Sequence, residues 1–143
     1  IRHDIEIAGH PIVRLNIAAN NTDATVFAYL EEELPNGKIR YITEGQFRAL
    51  HRKPADSLPY KQAEPAHSFL EKDAMPLTPE EAALLEFGMI PTSYHLQKGN
   101  TLRLTIAGSD LDHFALIDNR PSWIDLLVGG EQPSLLELPV VRR

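Results

Sequence analysis

Apolar residues in the first third of this chain recur at every second position, a spacing that commits the polypeptide to strands. In PIVRLNIAA, Val13, Leu15 and Ile17 share one face, with Ile12, Arg14 and Asn16 on the other, which is the period of a pleated strand. ATVFAYLEEEL repeats the pattern, with Val26, Ala28 and Leu30 on one face and Phe27, Tyr29 and Glu31 on the opposite one. Pro35-Asn36-Gly37 then reads as a turn, because Asn and Gly tolerate the positive φ of a tight hairpin. KIRYITEGQFRA is the returning strand. Gly9 and Pro11 mark an earlier corner, after a short strand around residues 5–7. The Glu31-Glu32-Glu33 run beside the turn reads most simply as a solvated hairpin end. The expected unit is a β meander.

From residue 54 to 79 the character changes. Five of the eleven prolines lie there (Pro54, Pro59, Pro65, Pro76 and Pro79), and no apolar period is readable. Such a stretch is an irregular surface excursion, longer than most connections in compact domains, and it favours a functional or interface loop. Next, Thr78-Pro79-Glu80-Glu81 has the form of a helix start, with Thr as N-cap and Glu three residues later. Phe87-Gly88 and Ile90-Pro91 would stop that helix within two turns, whereas β context predicts a strand ending near Ile90. Local signals leave the two readings even. Beyond Pro91 the chain is β again: a turn at Lys98-Gly99-Asn100, a strand with Leu102, Leu104 and Ile106 on one face, another through Ile124, Leu126 and Val128 closed by Gly129-Gly130, and LLELPVV last. Eight or nine short strands without alternating helices predict an antiparallel sandwich or jelly roll.

Composition narrows the functions. At 143 residues the chain suits a single domain that buries a core without a metal or disulfide. It has no cysteine, so disulfides, thiolate zinc sites and cysteine nucleophiles are excluded, and the compartment is left open. No apolar run approaches the ~20 residues of a membrane helix. A net charge of −6 without a Lys/Arg cluster argues against a nucleic-acid partner. The chain opens on Ile1, without initiator Met or signal sequence, and is expected to be part of something longer.

Chemistry-bearing residues are few. None of the six histidines has i, i+4 or HxH metal spacing, and His51 sits beside the cationic Arg52 and Lys53. Asp110, Asp112 and His113 form the best cluster. It is either a carboxylate–imidazole ligand set or, more simply, a turn in which His113 bonds one of the aspartates. No G-x-S-x-G elbow occurs, and Gly108-Ser109-Asp110 lacks both the second glycine and a following helix. Trp123, Tyr60 and Tyr94 are the only plausible members of a sugar-binding platform, and Trp123 at a strand start reads as half-buried core. Glu44 and Arg48, at i and i+4 on one strand face, are expected to form a structural ion pair, or one across a domain boundary. No catalytic residue, metal or cofactor is expected from this pattern.

Taken in order, GHPIVRLNIAA, YLEEELPNGKIRYITEGQFRALHR, HSFLEKDAMPLTP, PTSYHLQKGNTLRLTIAGSDLDHF and LLELPVV resemble the C-terminal domain of the X-Pro dipeptidyl-peptidase and cocaine-esterase group of serine hydrolases. The resemblance covers nearly the whole chain. It implies a jelly-roll β-sandwich of the galactose-binding-like type, and it tips residues 83–90 to strand. Two positions depart from the family: Pro79-Glu80-Glu81-Ala82 where relatives tend to have Pro-Gly-Glu-Pro, and Asn100 where many have His.

The resemblance implies that a Ser-His-Asp triad belongs to a preceding α/β-hydrolase domain of the same parent chain, and no triad residue maps here. That catalytic domain is the expected partner, and homo-oligomer contacts are a further role of such sandwiches. The excursion over residues 54–79, with Tyr60, His67 and Phe69, is expected to pack on the catalytic domain or border its cleft. The alternative is a stand-alone carbohydrate- or protein-binding module, against which the 7% aromatic content argues. A metal enzyme built on Asp110, Asp112 and His113 is the remaining reading.

Overall fold

Nine strands and two short 3-10 turns make up the computed structural model, which describes residues 1–55, 57–118 and 120–141. The strands are β1 (Ile5–Gly9), β2 (Ile12–Ala19), β3 (Thr25–Glu33), β4 (Ile39–Arg48), β5 (Ala83–Gly88), β6 (Thr92–Leu96), β7 (Thr101–Ala107), β8 (Ile124–Leu127) and β9 (Leu135–Glu137). Their ladders are all antiparallel. One sheet runs β4-β3-β7, a second runs β5-β2-β8 with β9 also on β2, and β1 and β6 form a two-stranded ribbon. The protein is thus an all-β antiparallel sandwich, and this strand arrangement is consistent with the jelly-roll type.

The alternation identified in the sequence sorts residues as expected. Val13, Leu15 and Ile17 of β2 and Val26, Ala28 and Leu30 of β3 are all buried in one cluster with Leu85, Phe87, Phe47, Ile7 and Leu96. At the hairpin, Gly37 takes φ +79°, but Asn36 does not use positive φ. Its side-chain oxygen instead accepts from the Lys38 N–H at 3.0 Å, which folds the turn from within. A register shift after Leu30, where Thr43 faces Leu30 and Tyr41 faces Glu31, leaves Ile42 as the extra residue of a bulge in β4.

Between β4 and the segment leaving β5 the two sheets are sewn together. The Ile90 N–H donates to the Glu44 carbonyl at 2.8 Å, and the Thr43 hydroxyl donates to the Ile90 carbonyl at 2.7 Å. This approach needs a glycine: a Cβ on Gly45 would stand 3.0 Å from the Gly88 carbonyl oxygen and 3.1 Å from Met89 Cα.

Two sequence expectations are corrected, and a third, left even between helix and strand by local signals, falls to strand as the resemblance implied. Glu32 is no solvated hairpin end. It continues the inward series Val26, Ala28 and Leu30 by one more alternation and is fully buried. Arg48 does not pair with Glu44, because four residues of strand span about 13 Å. Its guanidinium lies 2.6 Å from Asp23 Oδ2 instead. Thr78-Pro79-Glu80-Glu81 starts no helix: Glu80 adopts φ +68°, the Glu81 N–H closes a turn on the Thr78 carbonyl, and residues 83–88 are strand β5. The Glu80 amide is used by Ala19 at 2.7 Å, so tertiary pairing overrides the capping signal.

Candidate functional site

Where β4 and β5 approach, Phe47 and Phe87 stack with ring centroids 5.3 Å apart and planes within 5°. The proline-rich excursion lays His67 on Phe47 at 4.7 Å. His67 is buried, with Nε2 2.8 Å from the Glu86 carbonyl and Nδ1 3.1 Å from the Lys53 carbonyl. A neutral imidazole donates to only one of two such oxygens. A bridge between Pro54 and His67 and a 2.8 Å bond from the Ala55 N–H to the Ala66 carbonyl close the loop on itself.

The second half of the excursion is stitched to the body. The Met75 N–H donates to Leu50, the Leu77 N–H to Thr22, and the Arg52 guanidinium lies on the Met75 and Pro76 carbonyls. Lys53 and Ser68 both donate to Asp73 at 2.7 Å, and these bonds hold that carboxyl below its ordinary range. The excursion is therefore an anchored structure of irregular backbone.

On this anchored base two aromatic rings stand out to solvent. Phe69 is 61% exposed and Tyr60 is 63% exposed. Phe69 makes an edge contact with Phe47 at 6.4 Å and packs on His51 at 5.3 Å. Its backbone has φ +55°, a conformation a bulky L-residue rarely takes. Together Phe47, Tyr60, Glu64, His67, Phe69 and Phe87 line a cleft of about 440 Å³. All three residues singled out in the sequence, Tyr60, His67 and Phe69, thus meet at one site. Its base was missed, although Phe47 and Phe87 were visible as strand aromatics; nothing local said that they stack.

The Asp110 cluster takes its structural form. Asp110 accepts from the Tyr29 hydroxyl at 2.7 Å and lies 3.0 Å from His113 Nδ1, while the Asp112 N–H returns to Asp110. Burial, then this hydrogen bond, push the Tyr29 phenol up to about 12. The same bond, opposed by burial and aided by His113, holds the Asp110 carboxyl below its ordinary range. Among the described residues no group of three His, Asp or Glu side chains is placed to hold a metal.

A buried carboxylate was missed altogether. Glu32 accepts from Tyr94 at 2.8 Å, Asn100 Nδ2 at 2.8 Å and the Gln97 N–H at 3.2 Å, with Arg40 at 3.5 Å. Burial pushes its carboxyl upward, but the Asn100, Tyr94 and Gln97 hydrogen bonds and the Arg40 charge together leave it below the ordinary range. This is a structural clasp: the carboxylate itself is wholly buried, while Arg40 and Gln97 reach it from the surface.

An antiparallel sandwich with an anchored aromatic loop and no metal-holding cluster among the described residues defines an all-β, noncatalytic class of domain. Residues 1–124 match the family described as the X-Pro dipeptidyl-peptidase C-terminal non-catalytic domain, and the chain belongs to that family. Over 141 residues it is 41% identical to proteins named "Putative serine esterase" in Mycobacterium bovis and Mycobacterium tuberculosis, covering 98% of this chain and 22% of theirs. The chain thus spans less than a quarter of the curated relatives it matches. Among solved structures, a CocE/NonD family hydrolase from Staphylococcus aureus superimposes with TM-score 0.79 at 18% identity, covering 99% of this chain and 29% of that one. An alpha-amino acid ester hydrolase does so with TM-score 0.74 at 19% identity, covering 99% and 24%. At these identities the structural likeness establishes the fold.

Proposed function

We propose that this chain is the C-terminal, noncatalytic sandwich of a larger serine hydrolase, and that it packs on that enzyme's α/β-hydrolase domain through the face carrying Tyr60, His67 and Phe69. The observation that carries the docking face is that exposed Phe69 and Tyr60 line one cleft with the stacked, buried rings of Phe47 and Phe87. Large apolar rings held on a fixed base lose little entropy on burial, which suits a permanent interdomain contact. Such a contact walls a cleft between domains and excludes water from the reacting bond.

The parent's substrates belong to the acyl-bond class, X-Pro peptides or esters and amides. The names of the 41%-identical relatives support the ester arm. The closing experiment has two parts. Turnover of a nitrophenyl ester and of an X-Pro-anilide by the longer parent protein separates the arms, and ester turnover alone is expected. Hydrogen exchange over residues 54–79 in this chain and in the parent tests the face. Stronger protection in the parent is expected, and equal protection in both overturns the docking assignment.

A further inference from the structure

On the side of the sandwich away from that face, the interior is open. Leu126 and Ile124 of β8 stand opposite Ile17 and Ala19 in register, so they point inward with the core. Ile106 of β7 does the same, opposite Ala28. Yet β7 and β8 do not pair with each other, and the inward-facing Leu126 is 38% exposed. Between the two edge strands lies a cleft of about 580 Å³ that reaches the core at Ile17 and Val26, each 1% exposed. Trp123, expected to be half-buried core, is 39% exposed and stands at its mouth.

The polar side chains of this cleft are sparse, and none is acidic among the described residues. Ser109, Ser122 and Arg120 line it together with the apolar walls. Among those residues no carboxylate pairs with the Arg120 guanidinium. Of the acidic groups flanking it in sequence, Asp110 holds Tyr29 and His113, Asp125 is in register with Ala18 on the outer face, and neither Asp112 nor Asp118 lines the cleft.

From this geometry we infer that the β7–β8 cleft binds a small monocarboxylic acid with an alkyl or aryl tail. The tail enters between the sheets against Ile106, Ile124 and Leu126, and the carboxylate stays at the mouth with Arg120. The volume falls within the roughly 300–1,000 Å³ of small-molecule sites, and an apolar slot with few convergent polar groups is their usual form. A single guanidinium matches a carboxylate in charge and fork geometry. A phosphate would call for further cations that the cleft does not have. The inference is independent of the docking face proposed above.

Trp123 is the only tryptophan of the chain, so its fluorescence reports this cleft alone. Sodium octanoate is the probe and 1-octanol its uncharged counterpart. A saturable fluorescence change with octanoate is expected, with octanol about tenfold weaker, the scale of one charge-assisted hydrogen bond. Arg120→Ala should weaken octanoate about tenfold and leave octanol unchanged. Ser109→Phe, or Ser122→Phe if that variant does not fold by circular dichroism, should abolish both responses. A response that does not saturate, equal binding of octanoate and octanol, or indifference to Arg120→Ala overturns the proposal. So does sedimentation that shows a dimer broken by Ser109→Phe, because the cleft would then be covered by a second copy.

Discussion

The side-chain amide of Asn100, at the turn before β7, donates a 2.8 Å hydrogen bond to the carboxylate of Glu32, which is wholly shielded from solvent. The two residues are 68 positions apart. Asn100 stands where many of the resembled family have histidine, and the departure touches a buried charge. Asn100→Ala would leave one carboxylate oxygen short of a donor. A loss of about 1–3 kcal/mol is expected, read as a lower urea midpoint.

The same clasp fixes the sign of an acid dependence. Its net effect lowers the Glu32 carboxyl in the folded state, so the stability it contributes is present above the ordinary glutamate range. It is lost as pH falls through the lower folded value. Glu32→Gln should therefore unfold more easily at neutral pH and show a flatter fall below the ordinary carboxyl range. Equal slopes of unfolding free energy against pH in the two proteins would remove Glu32 from the acid response.

Gly45→Ala places a methyl against the Gly88 carbonyl and Met89 Cα, both backbone atoms held by the Ile90–Glu44 bond. Overpacking of this kind destabilises by about 1–3 kcal/mol. The effect should appear in thermal unfolding without loss of β signal.

Glu80 carries the left-handed φ of +68° and is exposed. Glu80→Gly should raise stability by about 1 kcal/mol, since an L-residue is disfavoured there by roughly that amount. A lower melting temperature for this variant would mean that the turn is held by something other than its backbone.

Phe69→Asn tests the docking face. Asn accepts the φ of +55° more readily, while the exposed ring gives up little packing, so stability of this chain should change by less than about 1 kcal/mol. In the parent enzyme the same change should raise hydrogen exchange over residues 54–79. A variant that unfolds this chain would show Phe69 to be a core residue instead.

Much of this architecture was legible in the spacing of Val13, Leu15 and Ile17 and of Val26, Ala28 and Leu30, because a two-residue period leaves a pleated strand little choice of face. The errors came where composition was weighed above period. Glu32 reads as surface by its charge and as core by its position, and position won because Tyr94, Gln97 and Asn100 were waiting. Arg48 found Asp23 because partners on a strand come from across space. At residues 78–81, where local signals left helix and strand even, there was no error but no decision either: the capping residues are real, and the Glu80 amide was already committed to Ala19. Tyr60, His67 and Phe69 could be picked from the proline-rich text as the rings of a long irregular segment, and they line one cleft. The β7–β8 cleft could not be read at all, because it is made by two strands that fail to meet.

The middle strand β2 has one further consequence, for biosynthesis. One of its edges is completed jointly by β8 and β9, and where these part, Ser134 Oγ accepts the Asn16 N–H at 2.9 Å across 118 residues of chain. As synthesis proceeds, β2 emerges before β8 and β9 and waits with a row of unmet amides and carbonyls until the 118 residues that separate Asn16 from Ser134 have followed it out of the ribosome. A bare edge of this sort is an invitation to pair with a neighbouring nascent chain. Arg14, whose guanidinium later bridges Glu86 and Glu137, places a charge in the middle of that edge strand during the wait and discourages such pairing.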